Sequence, residues 1–189
     1  MIYPIVLYGD PVLKKPGEPV EPGDIDAKQL SEDMFETMYQ ASGVGLAAPQ
    51  IGKSLRMFVI DSTPLDEDEG KEGIKRVFIN PEIVEMEGDA WAFEEGCLSI
   101  PGIRADVQRP PKVTIHYQDE NWKEHTETLE GMPARIVLHE YDHIEGVLFV
   151  DHVKGLKKRL IKGKLGSISK GQVDANYSVK IPAKAVRRS

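Results

Sequence analysis

The chain has 189 residues, with 31 acidic against 24 basic and a formal charge of −7, which argues against nonspecific nucleic-acid binding by the molecule as a whole. One cysteine cannot make an internal disulfide, so a reducing compartment, the cytoplasm, is expected. The apolar start, Met1 to Leu7, lacks a basic n-region and soon meets Asp10, no run is long enough to span a bilayer, and the length suits one ordinary core.

In chain order, Leu30, Met34, Met38 and Ala41 recur at helical spacing and predict a helix over 25–42, ended by Gly43. The run Gly43-Val44-Gly45-Leu46-Ala47-Ala48-Pro49-Gln50 reads as a tight apolar turn, with the Gln50 amide able to reach into a cleft. Strands are predicted at 55–61, 76–80 and 83–88, and the acidic stretch 61–75 as a solvated loop. Cys97 follows a glycine in Glu94-Glu95-Gly96-Cys97-Leu98-Ser99, a turn or strand end. Residues 104–108, 112–118 and 123–130 suggest a meander, with a hairpin turn at 119–122. A helix at 133–145 begins near Pro133 and stops at Gly146, a short basic helix follows at 155–164, and 177–181 alternates like a last strand.

The 133–145 helix carries the most informative pattern, His139-Glu-Tyr-Asp-His143. Residues i and i+4 share a helix face, about 5–6 Å apart at Cβ, so both imidazoles can hold one metal ion while Glu140 handles a proton on bound water. A surface helix with two unrelated histidines fits these five residues as well. A catalytic site needs a third protein ligand. The metzincin continuation fails, because Phe149 stands where its last histidine would be, and no glutamate follows Glu145. Asp151, His152 and Asp174 are poor candidates. Cys97 is either a small buried hydrophobe or a thiolate ligand.

Taken together, the three motifs resemble those of the peptide deformylases: a GφGφAAxQ motif at Gly43–Gln50, an EGCLS motif at Glu95–Ser99 and an HExDH motif at His139–His143, in that order. Asp10-Pro11-Val12-Leu13 is similar to the family's DPxL segment, and Arg104 falls in its arginine-containing stretch, so the resemblance covers roughly 5–165. Leu138 departs from the glutamine that often precedes HExDH. The resemblance implies an α+β fold in which antiparallel strands pack around a central HExxH metal-binding helix, with an N-terminal helix, and in which Cys97 at a strand edge meets the histidines. It implies Cys97, His139 and His143 as ligands of one divalent ion, natively Fe(II), with Zn(II) or Ni(II) accommodated. Glu140 becomes the proton carrier, and the Gln50 amide and Leu98 backbone N–H the oxyanion donors. The resemblance further implies formyl-methionyl nascent peptides as substrates, with release of formate.

The remaining expectations concern the rest of the site and the tail. Val44, Ile136 and the flank of His139 are candidates for an apolar methionine slot, with Met132 and Glu95 near its edge; Ile136 serves equally as helix core. Val44, Gly45 and Gly96 offer backbone groups to an extended peptide. Asp142 and Arg109 form a supporting pair or stand apart as solvated charges, while His116, His125 and His152 are read as packing or surface residues. Residues 1–165 are expected as the catalytic domain and 166–189 as a basic extension ending in a strand on the same domain. From Lys154 onward Asp174 is the only acid, which suggests docking on ribosomal RNA or a merely solvated surface. A zinc metallopeptidase and a noncatalytic module with a structural metal are the rival readings.

Overall fold

The computed structural model describes residues 1–66 and 72–183. The acidic run at 67–71 and the basic residues Lys184, Arg187 and Arg188 lie outside the described residues. The elements are β1 (Ile5–Val6), α1 (Ala27–Gln40), β2 (Gly45–Ala47), β3 (Met57–Asp61), the single turn α2 (Thr63–Asp66), β4 (Lys75–Glu87), β5 (Trp91–Cys97), β6 (Ile100–Arg109), β7 (Lys112–Gln118), β8 (Glu124–Glu130), α3 (Gly131–Ile144), α4 (Gly155–Ile168) and β9 (Val179–Lys180). The architecture is mixed α/β with antiparallel sheets. A five-stranded antiparallel sheet has the order β2-β3-β4-β7-β8, β5 and β6 form a separate hairpin, and β1 pairs with β9 in parallel.

α1 starts where the Asp26 carboxylate accepts from the Gln29 N–H at 3.0 Å, satisfying a donor the helix leaves free. Its face of Leu30, Met34 and Met38 packs with Leu46, Met57, Val59 and Ile79 of the sheet. The helix closes through Ser42, which takes the left-handed conformation (φ 56°) expected of Gly43, while the Gly43 N–H donates to Met38 O at 2.9 Å.

Two departures from the sequence reading have local causes. The segments 76–80 and 83–88 are one strand, β4, interrupted by a register shift between Ile79 and Glu82. Asn80 sits there at φ 49°, its side chain exchanging two hydrogen bonds with the Val20 backbone at 2.8 and 2.7 Å. The meander is also corrected, because β6 pairs with β5 and not with β7. Pro110 and Pro111 separate β6 from β7; two successive residues without an N–H cannot continue a ladder, so the chain leaves one sheet and enters the other.

α3 lies on the five-stranded sheet. Ala134, Val137, Leu138 and Ile144 pack with Phe58, Ile60, Phe78, Val113 and Ile115. Each fully buried aliphatic there contributes about 1.5–3 kcal/mol, which fixes the helix to a rigid support. Gly146 ends it at φ 74°, a conformation in which a Cβ would also lie 2.8 Å from the Lys14 carbonyl carbon. A second core joins Val6, Leu7 and Leu13 to the β5–β6 hairpin and to Phe149, Ile161 and Ile168. α4 therefore extends past the expected 164 to Ile168, turning Ile161 and Ile168 inward and leaving Leu156 and Leu160 exposed. The end of β5 is thus held between the two cores, opposite α3.

Candidate active site

The i, i+4 spacing on α3 sets the His139 and His143 ring centroids 5.2 Å apart. Cys97, the last residue of β5, brings its Sγ to 3.4 Å from His143 Nε2. One donor atom from each of Cys97, His139 and His143 lies within 4.8 Å of the others. His139 Nδ1 is engaged by Glu95 Oε2 at 2.9 Å, which leaves Nε2 for the cluster. Burial lowers the pKa of His143 well below the usual value, so its ring is neutral and able to donate a lone pair.

Glu95, read from the sequence as near the edge of a methionine slot, lines the cleft, and its carboxylate is buried against the cluster. Its carboxylate receives Arg109 Nε at 2.7 Å and Nη2 at 3.0 Å, and Arg135 Nη1 at 2.7 Å, besides His139. Burial opposes its charge, but the His139 and Arg109 hydrogen bonds outweigh burial and hold the carboxyl far below the usual range. Arg109 also donates to Asp142 Oδ2 at 3.0 Å, and His152 Nε2 meets the same carboxylate oxygen at 2.8 Å. Arg109 and Asp142 are therefore a bonded pair joining the hairpin to α3. Arg135 lies over the Trp91 ring at 4.2 Å from its centroid and donates to Trp91 O and Val107 O.

Glu140 projects between α3 and β2. Its Oε2 is buried without a hydrogen-bond partner, and burial raises the pKa to about 7. A Cβ on Gly45 would sit 2.4 Å from Glu140 Oε1, so any larger residue there would force the carboxylate to shift. Gln50 is buried; its Oε1 accepts from the Ala47 N–H at 2.9 Å, which turns Nε2 to 3.4 Å from both Cys97 Sγ and Ser99 Oγ. Leu98 and Ser99 form the two-residue turn between the paired Cys97 and Ile100. Gly45 belongs to β2, a strand hidden in what the sequence presents as an apolar turn.

These groups open on a cleft of about 940 Å³. Val44, Gly45, Gly96, Cys97, Leu98, Ile136, His139 and Glu140 line it, as do Met132, Arg135 and the tail residues Asp174–Tyr177. Asp151 and His152 are not among its lining residues. Sequence reading missed Arg135 and Tyr177, and named Glu95 without its tie to His139. Arg135 stands one helical turn before His139, and Glu95 two residues before Cys97, the places where partners that orient ligands are found; Tyr177 carries no comparable signal.

The donor set suits a divalent cation. One sulfur and two imidazole nitrogens match a borderline-soft ion such as zinc or ferrous iron. The surroundings also favour positive charge: burial opposes a proton on His139, yet contacts with Cys97 and Glu95 raise its pKa to about 10. A cation placed beside the same groups is favoured for the same reason.

Residues 2–159 match the family model described as polypeptide deformylase. A peptide deformylase of Cytophaga hutchinsonii is 60% identical over 184 residues, covering 97% of this chain and 100% of its own length. One from Christiangramia forsetii is 52% identical, with 96% and 97% covered. Among solved structures, a peptide deformylase from Legionella pneumophila superimposes with a TM-score of 0.78 at 44% identity, over 91% of this chain and 98% of that one. The Thermus thermophilus peptide deformylase gives 0.80 at 41% identity, over 90% and 99%.

Proposed function

Because the chain belongs to the peptide deformylase family, we propose that Cys97, His139 and His143 hold the divalent ion of a deformylase centre, with Glu140 as its proton carrier. The activity is that of the family: hydrolysis of the N-formyl group from nascent peptides. The observation that carries the residue assignment is the convergence of one sulfur and two nitrogen donors within 4.8 Å, beside a buried carboxylate that has an unpartnered oxygen. A bound ion supplies Lewis acidity and brings the pKa of water toward neutrality.

The chain's own groups do the rest. Glu95 holds the His139 ring through Nδ1, and Arg109 and Arg135 hold Glu95. Glu140, with a pKa of about 7, accepts a proton from the attacking water at a carboxylate oxygen and returns it to the leaving amine nitrogen. The Gln50 Nε2 amide and the Leu98 backbone N–H face the charge that grows on the formyl oxygen; one such donor contributes about 3–4 kcal/mol. Val44 and Ile136 give methionine an apolar slot, and Val44, Gly45 and Gly96 offer backbone groups to the peptide beyond it. In support, all four line the cleft, and β2 and β5 present extended backbone there.

Fe(II) is our choice of native ion, with Zn(II) or Ni(II) able to replace it, because a thiolate tolerates all three. Residues 1–165 carry the motif residues and 166–189 extend the same domain, working in the cytoplasm, where nascent chains appear; among the described residues no helix is long and apolar enough to cross a membrane. Lys157, Lys158, Arg159 and Lys162 are all exposed on α4 and are proposed to meet ribosomal RNA. Neutralising these four should weaken ribosome cosedimentation at low salt and leave tripeptide hydrolysis intact; unchanged cosedimentation would reduce α4 to a solvated surface. The activity itself is tested with formyl-Met-Ala-Ser and Fe(II) protected from air. Formate should appear, and the acetyl analogue should react at least about 10-fold more slowly, since its methyl crowds the carbonyl. Equal rates on the two peptides would remove the assigned chemistry.

A further inference from the structure

The turn that follows Cys97 is held from three directions. Ser99 Oγ lies 3.4 Å from Gln50 Nε2, Ser99 O accepts from the Tyr8 N–H at 2.9 Å, and Leu98 O accepts from the Tyr177 hydroxyl at 2.7 Å. Only the first tie comes from a motif beside the metal cluster. The second comes from the chain just after β1 and the third from the chain just before β9, and β1 and β9 are paired, with Ile5 N–H donating to Ser178 O at 2.8 Å and Leu7 N–H to Lys180 O at 3.0 Å. Tyr177 is half-buried and packs against the core under α1. Asp174, Ala175, Asn176 and Tyr177 also form part of the cleft wall. This stretch lies beyond residue 159, where the match to the family model stops.

We propose that the C-terminal segment Asp174–Tyr177 is part of the active site, and that Tyr177 is a positioning residue that fixes the Leu98–Ser99 turn and so aims the Leu98 N–H into the cleft. The inference rests on the reading of Leu98 as an oxyanion donor. In a two-residue turn the peptide planes are not independent. Residue 98 is bounded on one side by Cys97, paired across the hairpin with Ile100, and on the other by a carbonyl tied to Tyr177. Releasing that carbonyl lets the Leu98–Ser99 peptide rotate, and the Cys97–Leu98 peptide, which carries the donor N–H, follows. A donor to a developing charge is sensitive to small displacement, because its contribution depends on being in place beforehand. The arrangement ties the donor to the far end of the chain and leaves the metal ligands to α3 and β5. Loss of the tie should therefore affect the rate of the chemical step and spare both substrate affinity and metal.

The test is Tyr177→Phe, which removes one oxygen and keeps the ring in the core. Formate release from formyl-Met-Ala-Ser gives kcat and KM, and metal per chain is measured on the same preparation. The expected result is a kcat about 10-fold lower, with KM within about 2-fold and metal unchanged. A kcat within about 2-fold of the parent overturns the proposal, as does a loss of rate matched by an equal loss of metal. The parent enzyme is the control for the underlying reading: its failure to release formate would remove the deformylase assignment, whereas an active parent with an equally active Tyr177→Phe variant removes only the role of Tyr177.

Discussion

Gly45→Ala tests the proton carrier without touching a titrating group. Gly45 lies in β2, paired with Ile60 of β3, in a backbone conformation that alanine also adopts. The added methyl would stand 2.4 Å from Glu140 Oε1, 2.8 Å from Cδ and 2.9 Å from Cγ. Non-bonded heavy atoms rest at about 3.5 Å or more, so the carboxylate must retreat by roughly 1 Å. The end of a glutamate side chain can move, and the cost in stability should stay near the 1–3 kcal/mol of an overpacked site. The cost in rate is larger. A displacement of about 1 Å at a reacting group lowers the rate by about 10²-fold, equivalent to about 2.7 kcal/mol of barrier. Formate release should therefore fall about 100-fold, while metal per chain and the far-ultraviolet spectrum hold. A variant with full metal and the parent kcat would show that proton transfer does not depend on where this carboxylate stands, and Glu140 would lose its role.

Three further substitutions separate the parts of the centre. Cys97→Ala should lose metal and activity together, since two imidazoles are too few anchors; stoichiometric metal with a normal rate would take Cys97 out of the site. Glu140→Gln should keep its metal and lose about 10²–10⁴-fold in turnover, and a parental rate at full occupancy would place the base elsewhere. Among the described residues, Glu95→Gln leaves Arg135 without a counter-charge and Arg109 with Asp142 alone. Breaking such a buried network should cost about 3–5 kcal/mol in urea unfolding, and metal affinity should drop about 10–100-fold as the His139 ring loses its anchor. Unchanged stability and metal binding would show that Glu95 supports neither.

Elements governed by local pattern were readable in the chain. The 3.6-residue period marked α1, the flanking Pro133 and Gly146 marked α3, and the alternation of Lys112–Gln118 gave β7 with the bounds the structure has. The three motif segments were visible because each places its chemistry within a few residues. What was hidden depends on distant partners. β2 is three residues of a small-residue run, recognisable as a strand only once β3 lies beside it. β5 went unseen as a full strand because its Glu94-Glu95-Gly96 portion has little strand propensity; it is the pairing with β6 that makes it one. Arg135 looked like an interior helix residue, and only the folded chain brings it to Glu95, 40 residues away.

The pairing of β1 with β9 has a consequence for the order of events in biosynthesis. Ile5 is synthesised long before its partner Val179. Doubling a loop's length adds only about 0.6 kcal/mol to its closure, so this contact between distant segments costs little at equilibrium; its burden falls on speed, because distant pairings form slowly. α3 and the β5–β6 hairpin can assemble their donors while synthesis continues. The turn after Cys97 cannot, since Tyr177 has yet to emerge and Tyr8 is not yet braced by β9. If Tyr177 positions the turn as proposed, a chain arrested before residue 177 would hydrolyse slowly until the remaining residues arrived.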